Sequence, residues 1–169
     1  VLHRRSEAPP HTLAEICPVE LVSNPFVART RGSVIRNMCE LASRTGMLWD
    51  APAMAEAVAT REKLHPTALD CGVALLHPRR PQTSILAESV LAMGICPTPV
   101  AFSDTGQLTD IFFLICSYDD SSHLRILAKL SRIVSDEAFL EGVRASDTPA
   151  DAWAILNEAE MSLDENHAF

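Results

Sequence analysis

Two histidines in this chain, His77 and His123, stand where a strand should give way to a loop or a helix. His77 follows the apolar run Val73, Ala74, Leu75 and Leu76, and precedes Pro78, Arg79 and Arg80. His123 follows Asp119, Asp120, Ser121 and Ser122, a dense cluster of helix-capping residues. A neutral imidazole nitrogen is a competent nucleophile near neutral pH. Arginine adds forked donors, and the first turn of a helix adds unpaired N–H groups that favour an anion. Taken singly, His77 reads as a loop histidine and His123 as a first-turn residue. Together they point to a site for an anionic group. A metal is not expected, because His65, Cys71 and His77 match no zinc-ligand spacing. No cofactor is expected either.

The elements that must position these groups follow from the rest of the chain. At 169 residues and 47% hydrophobic, it is one domain's worth and large enough to bury a core. The formal charge of −8 is uneven: residues 101–169 hold 13 acidic and 4 basic side chains. Such a surface repels a phosphate backbone, so direct nucleic-acid binding is not expected. Five cysteines with no Cys-x-x-Cys pair read as buried free thiols in a reducing cytoplasm. No apolar run has the length of a membrane span.

Residues 1–18, with Pro9, Pro10 and Pro18, read as a linker or tail. The domain is expected over 19–160, with 161–169 as a C-terminal tail and fraying from Asp164 onward. Residues 19–27, broken by Pro25, suit an edge strand. Ser33 is expected to cap a helix that buries Val34, Met38, Leu41 and Ala42 and stops at Gly46. Asp50 should cap a second, with Pro52 in its first turn and Met54, Ala57, Val58 and Leu64 on its apolar side. Arg61 lies near the end of that helix.

After the turn at Asp70, Cys71 and Gly72, the run from Val73 to Leu76 reads as a buried strand. A strand over 85–96 is expected to break at Pro97, Thr98 and Pro99. A hairpin through Asp104, Thr105 and Gly106 should follow, its second arm apolar on both faces from Ile111 to Cys116 and therefore central in the sheet. Three helices close the chain, over 122–134, 136–144 and 148–160. The first should turn Leu124, Leu127, Leu130, Ile133 and Val134 inward. The fold class is α/β, a mixed β-sheet sandwiched between flanking α-helices.

The ordered set resembles the type-2 enzyme IIA domains of the bacterial phosphotransferase system, the fructose, mannitol and nitrogen-regulatory kind. In that family an Arg-Glu pair ends a helix, and a loop like Ser-Thr-Gly-Ile-Gly-Asn-Gly leads to a strand and a Pro-His-Gly-Lys/Arg turn. A second histidine later opens a helix as His-Leu-x-x-Leu. Here Arg61 and Glu62 end the helix, Thr67 and Gly72 hold the loop, and His77 with Arg79 ends the strand. His123, Leu124 and Leu127 match the later motif. The match runs over about residues 19–160.

The resemblance implies a phosphocarrier domain in which His77 accepts a phosphoryl group from the small histidine-containing phosphocarrier protein. Arg61 and His123 would line the same pocket, with Arg79 and Thr67 binding the phosphoryl oxygens. Phosphoryl transfer is carried by positioning and charge stabilisation, which suits these residue types. Nitrogen-type members regulate by binding other proteins according to phosphorylation state, so a regulated target or a fused upstream domain is an implied partner. Leu76 and Pro78 depart from the family's proline and glycine, and Asp70 and Cys71 from its Gly-Asn. Proline at 78 removes a backbone donor and fixes φ. The alternative is a descendant that binds proteins without being phosphorylated.

Overall fold

The computed structural model describes residues 11–165. Six α-helices surround a four-stranded sheet: α1 Leu13–Ile16, α2 Arg31–Ala42, α3 Ala51–Leu64, α4 Asp120–Val134, α5 Glu137–Ala145 and α6 Pro149–Glu165. The strands are β1 Val22–Ser23, β2 Val73–Leu76, β3 Val90–Ala101 and β4 Leu108–Cys116, in the spatial order β1-β3-β4-β2. β1 pairs parallel with β3 and β2 parallel with β4, while β3 and β4 form the antiparallel hairpin. The sheet is therefore mixed.

In β4 every residue from Ile111 to Cys116 is fully buried. Successive strand side chains point to opposite faces, so both faces of the sheet are covered. One helix group, α2 with α3 against it, packs on β3 and β4; the other joins α1, α4, α5 and α6 and meets β1, β3 and β4. This is the expected α/β sandwich. No helix among the described residues is long and apolar enough to cross a membrane.

Several local expectations shift. α2 is capped by Thr30, not Ser33: the Thr30 hydroxyl accepts from the Ser33 N–H, and the Ser33 hydroxyl accepts from the Thr30 N–H. Ser33 thus closes a reciprocal cap from inside the first turn. The helix ends at Ala42, four residues before the left-handed Gly46. The edge strand expected over 19–27 shrinks to two residues, preceded by a 3-10 turn over Val19–Leu21. Residues 85–96 divide into a 3-10 turn at Thr83–Ile85 and the start of β3 at Val90. Pro97, Thr98 and Pro99 do not end β3; they form an exposed bulge between Ile95 and Val100, where the lost proline donors interrupt no ladder.

The N-terminal segment is the larger correction. Within residues 11–18, expected to be a tail, α1 is held by a Thr12–Glu15 capping box, and Leu13, Ala14, Ile16 and Cys17 are buried. The buried Glu160 carboxylate accepts from the N–H groups of Leu13 and Ala14, at 2.7 and 3.2 Å, and pairs with Lys129 at 2.9 Å. α6 continues past 160 to Glu165. The rest of the expected tails, residues 1–10 and 166–169, lies outside the described residues.

α3 and α4 also turn differently on the core. Met54, Val58 and Glu62, spaced by four, are the buried stripe of α3; Ala57 is only half-buried and Leu64 is exposed. On α4, Ile126, Leu130, Ile133 and Val134 are buried and Leu127 is half-buried. Leu124, expected inside, is 67% exposed. That rotation puts position 123 on the inward side with 126, 127 and 130. His123 is thereby carried toward the sheet edge.

Candidate functional site

β2 and β4 run parallel as neighbours, so their C-terminal ends meet at one edge of the sheet. β2 ends at Leu76, and His77 follows it. β4 ends at Cys116 and is followed by buried Ser117, then by Asp119, whose carboxylate caps α4 by accepting from the Ser122 N–H at 2.7 Å. His123 lies in the first turn of α4. The two histidine rings meet with centroids 4.7 Å apart and planes inclined by 57°. Forty-six positions separate them in the chain, so the fold, not the local chain, brings them together.

The Nδ1 atom of His77 lies 2.9 Å from the Pro78 carbonyl oxygen. A carbonyl only accepts, so Nδ1 carries the proton and Nε2 keeps its lone pair. His123 Nδ1 lies 3.2 Å from the Ser117 hydroxyl. Burial lowers the pKa of His77; the bond to Pro78 opposes this, the Arg61 charge adds to it and the Glu62 charge opposes it. Burial also lowers the pKa of His123, aided by His77 and opposed by Asp120. Both rings are thus held neutral near pH 7.

Arg61, half-buried on the last turn of α3, donates from Nη1 to the His65 carbonyl at 2.7 Å, and its charge reaches His77. Arg79 and Arg80 are exposed at the rim, and among the described residues neither guanidinium makes a hydrogen bond or an ion pair. They border a small cleft of about 20 Å³ that includes Ser117, Asp120 and His123. That holds about one water, so a larger anion would sit at the mouth, open to a partner. Thr67 lies in the loop after α3, but both of its donors are committed: N–H to Glu62 at 2.7 Å and hydroxyl to the same carboxylate at 2.9 and 3.0 Å. The structure therefore packs His77 against His123, brings the Arg61 charge to bear on His77, places Arg79 at the rim, and holds Thr67 on the Glu62 carboxylate.

Three contributors were not among the expected site residues. Glu62 is 5% exposed, and its spacing of four from Val58 is the signal that would have turned it inward. Ser117 carries no such signal, since any small polar residue suits that junction. Arg144 on α5 donates from Nε and Nη2 to Asp110 at 2.8 and 2.9 Å, and from Nη2 to the Cys71 carbonyl at 2.6 Å. It pins the turn that feeds β2, where Gly72 has φ +85°. Cys71, in that turn, is exposed, whereas Cys17, Cys39, Cys96 and Cys116 are buried. Among the described residues, no three His, Cys, Asp or Glu side chains are grouped to hold a metal ion.

The family model for the phosphoenolpyruvate-dependent sugar phosphotransferase system, EIIA 2, matches residues 15–159. The chain belongs to this EIIA family. The nitrogen regulatory protein of Escherichia coli (strain K12) is 26% identical to this domain over 113 residues, covering 65% of this chain and 68% of the relative. Among solved structures, the nitrogen regulatory protein IIA-Ntr from Neisseria meningitidis superposes with a TM-score of 0.72 at 21% identity, covering 85% of this chain and 97% of that one. The Escherichia coli complex of enzyme IIA mannitol with phosphorylated enzyme IIB mannitol gives 0.73 at 19% identity, covering 82% and 95%. These likenesses establish the EIIA fold for the domain.

Proposed function

We propose that this EIIA domain is a cytoplasmic phosphocarrier of the nitrogen-regulatory kind, accepting a phosphoryl group on Nε2 of His77 from a histidine-containing phosphocarrier protein. The observation that carries the reading is the His77–His123 pair, with His77 Nδ1 tied to Pro78 and Nε2 left with its lone pair. In the transfer, Nε2 forms the new N–P bond while the donor's N–P bond breaks and its electron pair returns to the donor imidazole. The Nδ1 proton stays in place, and the Pro78 carbonyl stabilises the positive charge the ring gains. Pro78 thus offers an acceptor to the ring even though it has no N–H for the phosphoryl oxygens. His123, Arg61 and Arg79 supply donors and positive charge to those oxygens. The nitrogen-regulatory assignment rests on the relatives' names, and a target protein that reads phosphorylation state is the partner it implies.

The test is incubation with phosphoenolpyruvate and the general phosphotransferase proteins, followed by intact-mass measurement. One acid-labile phosphoryl group is expected, and His77→Ala should abolish it. His123→Ala should slow transfer by about ten- to a thousandfold, as loss of one preorganised donor does, while leaving the acceptor intact. Pro78→Gly restores an N–H and should speed transfer. If neither the wild type nor Pro78→Gly is labelled by donors active on another acceptor, the carrier reading fails. A protein-binding domain that is never phosphorylated then takes its place.

A further inference from the structure

The buried stripe of α3 ends on a carboxylate. Glu62 is 5% exposed and accepts only from Thr67, through one N–H and one hydroxyl, among the hydrogen bonds of the described residues. Thr67 in turn runs beside β2: its carbonyl accepts from the Leu75 N–H at 3.5 Å, and Ala68 bridges Ala74. One chain of contacts therefore leads from Glu62 through Thr67 to β2, and so to His77. Burying a carboxylate is costly unless it is paired and hydrogen-bonded. A neutral Gln would satisfy the same two donors, so the hydrogen bonds alone do not account for a charge here.

The strand that the Thr67 loop flanks ends at His77, and the Glu62 charge acts on that ring. Arg61, next to Glu62 on α3, also acts on that ring, and His123 on α4 packs against it with centroids 4.7 Å apart; Asp120 acts on His123, and Arg79 and Arg80 stand outside at the rim. Arg61 favours arrival of an anion at His77, and Glu62 opposes it. A carrier must release what it receives. With arginines as the only charges on the ring, the phosphoryl group would be held more tightly and passed on less readily.

We propose that Glu62 is a positioning residue that fixes the Thr67 loop against β2 and, as a buried anion, opposes Arg61 at His77 so that the phosphoryl group stays transferable. This rests on the acceptor reading of His77. Glu62→Gln separates the two parts, because the amide oxygen can still accept from the Thr67 N–H and hydroxyl, as Oε1 does, while the charge is removed.

In Glu62→Gln, hydrogen exchange at the Thr67 amide should remain protected. The His77 ring, followed by NMR against pH, should titrate at lower pH than in the wild type, since an attractive anion has gone. The phosphoryl-exchange equilibrium with the donor should move toward the phosphorylated domain by about three- to tenfold, the size of one partly screened charge interaction. In Glu62→Ala the loop should also lose protection. An unchanged His77 titration in folded Glu62→Gln overturns the inference, and so does an unchanged exchange equilibrium. Because the titration needs no donor, failure there is distinct from failure of His77 to accept a phosphoryl group at all.

Discussion

Replacing Gly72 by alanine tests whether the turn before β2 is built around Arg144. Gly72 has φ +85°, and Gly106, in the β3–β4 hairpin, has φ +80°. Alanine at either position meets the same left-handed penalty, about 1–2 kcal/mol. Their surroundings differ. A Cβ at 106 has nothing within 4 Å, whereas a Cβ at 72 would lie 2.7 Å from Arg144 Nη2 and 3.1 Å from Asp110 Oδ1.

The guanidinium is the end of a flexible side chain, so it moves aside without much steric cost. Moving breaks its bonds to Cys71 and Asp110. Charge-assisted bonds of this kind contribute about 1.5–3 kcal/mol. With Arg144 36% exposed, solvent screening reduces that to about 1–2 kcal/mol. Gly72→Ala should then cost about 2–4 kcal/mol and Gly106→Ala about 1–2, read from urea midpoints at constant m.

The extra cost should vanish in an Arg144→Met background, where the contact no longer exists to be broken. Equal costs for the two glycines in the wild-type background would refute the reasoning. So would an extra cost that survives in Arg144→Met. Because the turn feeds β2, Gly72→Ala should also slow labelling of His77 more than Gly106→Ala does.

Glu160→Ala leaves Lys129 and the α1 N–H groups without their shared carboxylate, and should cost about 3–5 kcal/mol, as removing one partner of a buried pair does. Amide exchange should become fast at Leu13 and Ala14, and a loss under about 1 kcal/mol with α1 still protected would refute the anchoring role. The histidines add a pH dependence. Their folded pKa values lie below the ordinary 6.5, so the unfolded chain binds more protons in the window just below that value, and stability contributed by the neutral rings is complete above it and lost as pH falls. Unfolding followed from pH 7.5 downward should show this slope, flattened in His77→Ala and His123→Ala; a wild-type slope of the opposite sign would overturn the assignment of neutral rings.

The sequence by itself determined the elements whose signals are local. Apolar runs on both faces of β4, the four-residue run of β2, and the caps at Asp50, Asp119 and Asp136 needed nothing beyond neighbouring residues. The order of those elements, with a histidine at two strand ends and an arginine at a helix end, was enough to indicate the family and the fold.

Only the tertiary structure decided what depends on groups distant in the chain. The 4.7 Å approach of His77 to His123 requires β2 to lie beside β4, and strand pairing of that kind is a long-range choice. Residues 12–17 looked like a tail because a four-residue helix has no periodicity to display; its partner, Glu160, is about 150 residues away. Leu124 and Leu64 looked internal because side-chain type was read without the rotation of each helix, which packing sets. Glu62 counted only as half of the Arg-Glu pair that ends α3 until Thr67 was seen holding it inside. A buried carboxylate is stable only with partners in place, and those partners are supplied by the fold.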